Sequence, residues 1–166
     1  MVVLYKCYTF APEKSKPKQH IMATRSIIIV KVRPSDIGQD KKFSKEILGD
    51  VYTRIPDDAF SPVHITNEYL SIYCHFDGYV HYGVGEALKT SFNTYEKALN
   101  LILGGDCSGI DSDSIYQYGE EDCGPDQDYS LKELMERRAE NYNYLFTEED
   151  GWRIVKSPEE IVDYDI

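Results

Sequence analysis

Ile72-Tyr73-Cys74-His75-Phe76-Asp77-Gly78-Tyr79, running on to Gly83-Val84-Gly85, crowds cysteine, histidine, aspartate, aromatics and glycines into one short stretch. It reads as a strand over Tyr69 to Phe76, a turn at Asp77-Gly78, and a helix beginning soon after. Alternate side chains of a strand share a face. Tyr73, His75 and Asp77 therefore fall on one side, with Cys74 and Phe76 on the other. A glycine following Asp77 suits a turn position of positive φ, which other residues resist.

Upstream, Thr-Arg-Ser-Ile-Ile-Ile-Val-Lys-Val over Thr24 to Val32 is dense in β-branched residues and predicts a central strand. Arg33 to Lys45 is polar, contains Pro34 and Gly38, and reads as a surface connection with a basic cluster at Lys41, Lys42 and Lys45. Val51 to Ile55 reads as a short strand. Downstream, a helix is expected over Val84 to Phe92, and Thr94 caps another over Tyr95 to Leu103. Its stripe of Tyr95, Ala98, Leu99, Ile102 and Leu103 has the spacing of a buried face. Gly104 would close it in the left-handed conformation. Cys107 to Asp128 is rich in glycine and acids without periodicity, so a long irregular loop is expected.

Ser130-Leu131-Lys132-Glu133 is a capping box, and the helix behind it would bury Leu131, Leu134, Met135 and Ala139. Tyr142 to Phe146 and Trp152 to Val155 form a hairpin, and Ser157-Pro158-Glu159-Glu160 starts a short last helix. At the other end, Val2 to Phe10 alternates like a strand and Ala11 to Gln19 reads as an arm. Met22 precedes Thr24-Arg25-Ser26 in the manner of a second translation start, which makes residues 1–21 an extension. The expected fold is α+β: a mainly antiparallel sheet with two or three helices packed on one face. It forms one domain over 22–156, followed by an acidic tail over 157–166.

At 166 residues and 42% hydrophobic, the chain supports one domain with a real core. Its longest apolar run, Ile27 to Val30, is too short to span a membrane. The opening Met1 to Lys6 lacks the pattern of a secretory signal, so a cytoplasmic protein is expected. Cys7, Cys74, Cys107 and Cys123 form no C-x-x-C pair and read as reduced thiols. The formal charge is −11, and residues 106–166 hold 18 Asp and Glu against 5 Lys and Arg. Such a half repels phosphate backbones and suits a partner with a basic surface.

His75 and Asp77 are the candidate catalytic pair, since a carboxylate beside an imidazole fixes its tautomer and raises its basicity. The plain alternative is a capped turn and a histidine hydrogen-bonded in the sheet. No metal site is expected, because adjacent Cys74 and His75 point to opposite faces and no short ligand pair exists. The acids of Asp106 to Asp128 lack EF-hand spacing. Gly83-Val84-Gly85 lacks the third glycine of a dinucleotide fingerprint, so close packing of helix on strand explains it better. Cys107 follows a helix C-terminus beside Asp106, where a thiolate is disfavoured. The 14 tyrosines include Tyr73, Tyr79 and Tyr82 near the turn and Tyr116 and Tyr118 in the acidic segment. With Glu120, Glu121, Asp122, Asp126 and Asp128, these make the candidate binding surface.

The order Thr24-Arg25-Ser26, Tyr73-Cys74-His75-Phe76-Asp77-Gly78-Tyr79, Val84-Gly85 with Leu88, and Leu103-Gly104-Gly105-Asp106 with Ser108 resembles a family of small phage, prophage and mobile-element proteins. That family shows T-R-S, Y-C-H-W-D-G-Y, V-G-x-x-L and L-G-D-x-S motifs. Here Phe76 stands for the usual Trp, and Gly105 splits the third motif. The resemblance, from about Met22 to Val155, implies a mobile-element origin and a shared fold rather than a particular chemistry.

The function expected on these grounds is that of a non-enzymatic accessory protein without a cofactor. It would bind a host protein through its acidic, tyrosine-rich surface, for instance blocking a nuclease or defence complex by mimicking nucleic-acid charge. The alternative is a small enzyme or ligand-binding protein using the His75/Asp77 turn with Tyr73, Tyr79 and His81. Direct nucleic-acid binding through Lys14, Lys16, Lys18, Lys41, Lys42 and Lys45 is disfavoured by the overall charge.

Overall fold

Ser26–Lys31 forms β1, and all but its last residue are buried, as three consecutive isoleucines flanked by Ser26 and Val30 require when both faces of a strand are covered. The structure is a computed structural model describing residues 23–166. The strand expected over Val2 to Phe10, the arm and the 1–21 extension lie outside the described residues. In the connection after β1 come β2 (Asp40–Lys41), α1 (Lys45–Leu48), β3 (Tyr52–Thr53) and β4 (Val63–His64). Next are β5 (Tyr69–Cys74), α2 (Val84–Ser91), α3 (Tyr95–Leu103), β6 (Cys107–Ile110), β7 (Ser114–Gln117) and β8 (Asp126–Asp128). The chain finishes with α4 (Leu131–Arg138), β9 (Tyr142–Thr147), β10 (Gly151–Ser157) and β11 (Glu160–Val162).

The α+β class holds, but the sheet is mixed rather than mainly antiparallel. Its order is β11-β10-β9-β1-β5-β6-β7-β3, with β8 also paired to β5. The β1/β9, β5/β6 and β3/β7 pairs are parallel. Parallel neighbours need long crossovers, and the α2–α3 pair supplies one between β5 and β6. The layers differ from expectation as well. Ile28, Val30, Ile72 and Cys74 pack with Leu88, Leu99 and Ile102 on one side of the sheet. Ile27, Ile29, Tyr73 and Leu145 pack with Leu131, Leu134 and Met135 on the other. Helices thus cover both faces, because the alternating positions of β1 and β5 are apolar on both sides.

Local signals placed α3 and α4. Thr94 Oγ1 accepts from the Lys97 amide at 3.3 Å, and Ser130 Oγ from the Glu133 amide at 3.1 Å. The left-handed residue after α3 is Gly105 (φ 78°), not Gly104, whose φ is −74°. The segment expected to be an irregular loop carries β6, β7 and β8. Among the described residues no helix is long and apolar enough to cross a membrane. Cys74 and Cys107 are free and buried, whereas Cys123 is disulfide-bonded, which corrects the expectation of a reduced thiol there.

The end of the chain is neither a helix nor a detached tail. β11 pairs with β10 through Ile154↔Val162 and Val155↔Ile161. Tyr164 is buried, and its hydroxyl donates to Gly85 O at 2.8 Å. Its ring lies edge-on to Tyr144 and beneath the Lys89 ammonium, 4.1 Å from the centroid. Tyr164→Ala removes this plug over α2 and should lower stability by about 3 kcal/mol. Urea unfolding checks it: a loss below ~0.5 kcal/mol would mean that the last residues lie outside the cooperative fold.

Candidate functional site

β5 delivers its chemistry at its C-terminal end. Past Cys74 the pairing with β6 continues through the His75 amide to Cys107 O at 3.2 Å and the Phe76 amide to Ser108 O at 2.8 Å. Tyr73 and His75 consequently share the α4 face, and the Tyr73 hydroxyl lies 2.8 Å from His75 Nδ1. Burial raises the Tyr73 phenol well above its ordinary value. Burial and then the Arg25 charge lower His75. Burial thus favours the protonated phenol and the neutral imidazole, which share one hydrogen bond between the Tyr73 oxygen and Nδ1.

Asp77 does not take part. Among the described residues no hydrogen bond or ion pair joins it to His75, and its side chain is exposed. The expected His75/Asp77 pair is replaced by Tyr73/His75, because the chain leaves the strand conformation at Asp77. Asp77 holds the positive φ (56°) assigned in advance to Gly78, which Asp tolerates better than most residues. Gly78 is required for another reason. A Cβ there would meet Thr24 O at 2.8 Å and Arg25 O at 3.0 Å. Its amide donates to Thr24 O at 2.8 Å and its carbonyl accepts from the Tyr144 hydroxyl at 2.7 Å. A Cβ on Gly83 or Gly85 would likewise meet backbone, at 2.3 Å from Asp77 O and 2.8 Å from Val80 Cα respectively.

Beside this pair lies a buried charge network. Asp106 Oδ1 accepts from the Tyr73 amide at 2.8 Å and stands 3.9 Å from Arg138 Nη2. Burial pushes the Asp106 carboxyl up to about 7, against the pull of the Tyr73 amide and Arg138. Arg138 Nη1 donates to Asp126 Oδ2 at 2.5 Å and to Ser71 Oγ at 3.3 Å. Arg137 forks onto Asp128 at 2.7 and 3.3 Å and onto Asp126 at 2.8 Å. Burial also raises Glu140, opposed by Arg25 and Arg138. Cys107 is raised by its hydrogen bond with Cys74 and by burial, so it is not a thiolate nucleophile.

The expected binding residues separate into three groups. Asp126 and Asp128 are paired with arginines and add little to an acidic surface, while Tyr73 is buried and Tyr118 half-buried. Glu120 and Glu121 are exposed; Glu120, Asp122 and Cys123 bring potential ligand atoms within 4.8 Å of one another. The disulfide removes the sulfur of Cys123 as a thiolate ligand, so the group amounts to two carboxylates. Tyr79, Tyr82 and Tyr116 are exposed, joined by Phe76, which was not among the candidates. Also missed were Arg25, Asp106 and Arg138. A signal for Arg138 was present, because it falls at the i+7 position of the Leu131, Leu134, Met135 stripe.

No family model, curated protein or solved structure matches this chain.

The turn predicts an unusual pair of outcomes. Gly78→Ala should cost more than ~2 kcal/mol, since backbone rather than a flexible side chain blocks the methyl, whereas Asp77→Gly should be neutral or slightly stabilising. Equal losses in chemical unfolding would contradict this account.

Asp106 makes stability depend on pH. Its carboxyl binds its proton more tightly in the folded state, so its contribution is complete below the ordinary carboxylate value and declines as pH rises to about 7. Relative to Asp106→Asn, the wild type should lose on the order of 2–4 kcal/mol between about pH 4 and pH 7. Parallel stability curves for the two proteins would show that Asp106 does not titrate in this way.

Proposed function

We propose that this protein acts without catalysis, by binding another protein through the end of the sheet formed by the 76–83 loop and the β6–β7 hairpin. Tyr82 carries the reading. It is 96% exposed, sits at a φ of 56°, and is held there by its amide bonding to Glu86 Oε2 at 2.8 Å. A bulky residue in that backbone region is strained, and exposing an aromatic ring costs burial it would otherwise gain. Both are tolerated where the ring inserts into a partner.

The surroundings supply the partner's chemistry. Tyr82, Glu86, Asp111 and Asp113 line a groove of about 410 Å³ with no Lys or Arg among its described lining residues. The Tyr116 hydroxyl accepts from Ser114 Oγ beside Asp113, at 3.2 and 3.1 Å. Exposed aromatics among carboxylates fit a Lys/Arg-bearing protein surface, with the charges steering encounter and the rings supplying contact area. The resemblance to mobile-element proteins implies that this surface belongs to a host protein, and a nuclease or defence complex whose basic groove the carboxylates occupy is the concrete version.

Capture from host lysate with the full chain tests this at low and high salt, with captured proteins identified by mass spectrometry. A specific partner with a basic surface should be retained at low salt. It should be reduced at least tenfold by Tyr82→Ala and by the Glu86→Gln/Asp111→Asn/Asp113→Asn triple variant, and left unchanged by Glu159→Gln/Glu160→Gln. Absence of any specific partner, or one indifferent to these substitutions, would refute the reading.

A further inference from the structure

Cys74, the last residue of β5, and Cys107, the first of β6, stand directly opposite each other in the parallel ladder. Theirs is the one Cα pairing between these strands. It is extended by the His75 amide on Cys107 O at 3.2 Å and the Phe76 amide on Ser108 O at 2.8 Å. Both cysteines are free and fully buried. Both belong to the core cluster that holds Leu88, Leu99 and Ile102, so their side chains leave the sheet on the same face. The Cys107 thiol is hydrogen-bonded to Cys74, and Cys74 Sγ also lies 3.6 Å from Phe76 O. Paired strands run about 4.8 Å apart, and disulfides join Cα atoms separated by about 4.4–6.8 Å. The backbone therefore already holds the two sulfurs within reach of a bond.

We propose that Cys74 and Cys107 are a redox-active dithiol, which a disulfide oxidant such as glutathione disulfide converts to a cross-strand bond between β5 and β6. One cysteine loses its proton and attacks the oxidant, forming a mixed disulfide and releasing one glutathione thiol. The other cysteine then loses its proton and displaces the second glutathione. The protein dithiol is oxidised by two electrons as glutathione disulfide is reduced to two thiols. A metal ion is the poorer occupant, because it would need two thiolates, and burial opposes charge on Cys107. The disulfide is neutral and suits the same apolar surroundings. Access to the buried sulfurs follows from their place at strand ends, where local opening costs least. The chain also carries a disulfide at Cys123, a bond formed by the same class of oxidant. Once formed, the new bond ties the base of the 76–83 loop to the β6–β7 hairpin. The inference rests on the strand pairing and stands apart from partner binding.

The test is treatment of the folded full chain with glutathione disulfide, then alkylation of the remaining thiols with N-ethylmaleimide in denaturant and unreduced peptide mapping by mass spectrometry. A linked Cys74–Cys107 peptide should appear, with alkylation of both cysteines falling together by about tenfold or more. Hydrogen exchange at the His75 and Phe76 amides should slow by about tenfold in the oxidised protein, because a crosslink beside them suppresses local opening. Dithiothreitol should restore both thiols and the original exchange. In Cys107→Ala, Cys74 should remain open to alkylation, and glutathione disulfide should leave exchange at these amides unchanged. Glutathione retained on one wild-type cysteine would overturn the proposal. So would two thiols that stay alkylatable in the treated, folded chain, or a link that forms only in denaturant.

Discussion

Gly78 is the point at which three parts of the chain are forced together. Its amide bonds to Thr24 O and its carbonyl receives the Tyr144 hydroxyl. The backbone of Thr24 and Arg25 occupies the space a side chain would need. The turn after β5 is thereby clamped to the entry of β1 and, through a buried tyrosine, to β9. Since β1 lies between β5 and β9 in the sheet, this clamp fixes the same three strands at their ends that backbone pairing fixes along their lengths. A chain free at this corner would still pair β1 with β5, but the tie from the turn to Thr24 and Tyr144 would be lost.

The second constraint is charge in the interior. Arg138 occupies the apolar stripe of α4 and is buried, a placement that is strongly unfavourable unless paired. Asp126 and Asp106 provide the pairing, and Arg137 holds Asp126 and Asp128 in turn. The acidic half of the chain therefore differs in character along its length. Two of its carboxylates, Asp106 and Asp126, serve to bury an arginine beneath α4, whereas Asp111 and Asp113 line, with Glu86 of α2, an exposed groove with no Lys or Arg among its described lining residues. Net charge alone does not separate the two kinds.

This difference marks how far the sequence could be read. The elements fixed by local chemistry were legible: Thr94 and Ser130 as caps, the α3 stripe, the isoleucine run of β1, and the β9–β10 hairpin. β6, β7 and β8 were not, because each is three or four residues long and is stabilised by partners distant in sequence. The Cys107↔Gln117 and Ile110↔Ile115 pairs even break register between them. At the site, the period-2 rule correctly put Tyr73 and His75 on one face. It failed for Asp77, where the backbone turns left-handed and alternation ends.

The protonation states tie these observations to function. An imidazole beside a carboxylate becomes a better base, whereas one that accepts a bond from a buried, protonated phenol becomes a fixed donor. His75 has its Nδ1 2.8 Å from the Tyr73 hydroxyl rather than beside Asp77, and burial, then the Arg25 charge, disfavour its protonation. Asp106, pushed up to about 7 by burial, is close to shedding its own charge. The interior end of β5 thus disfavours ionisation of its histidine, tyrosine and nearest carboxyl, while Arg25 lies exposed at its rim. One physical cause, burial at the end of β5, biases all three groups toward their neutral forms.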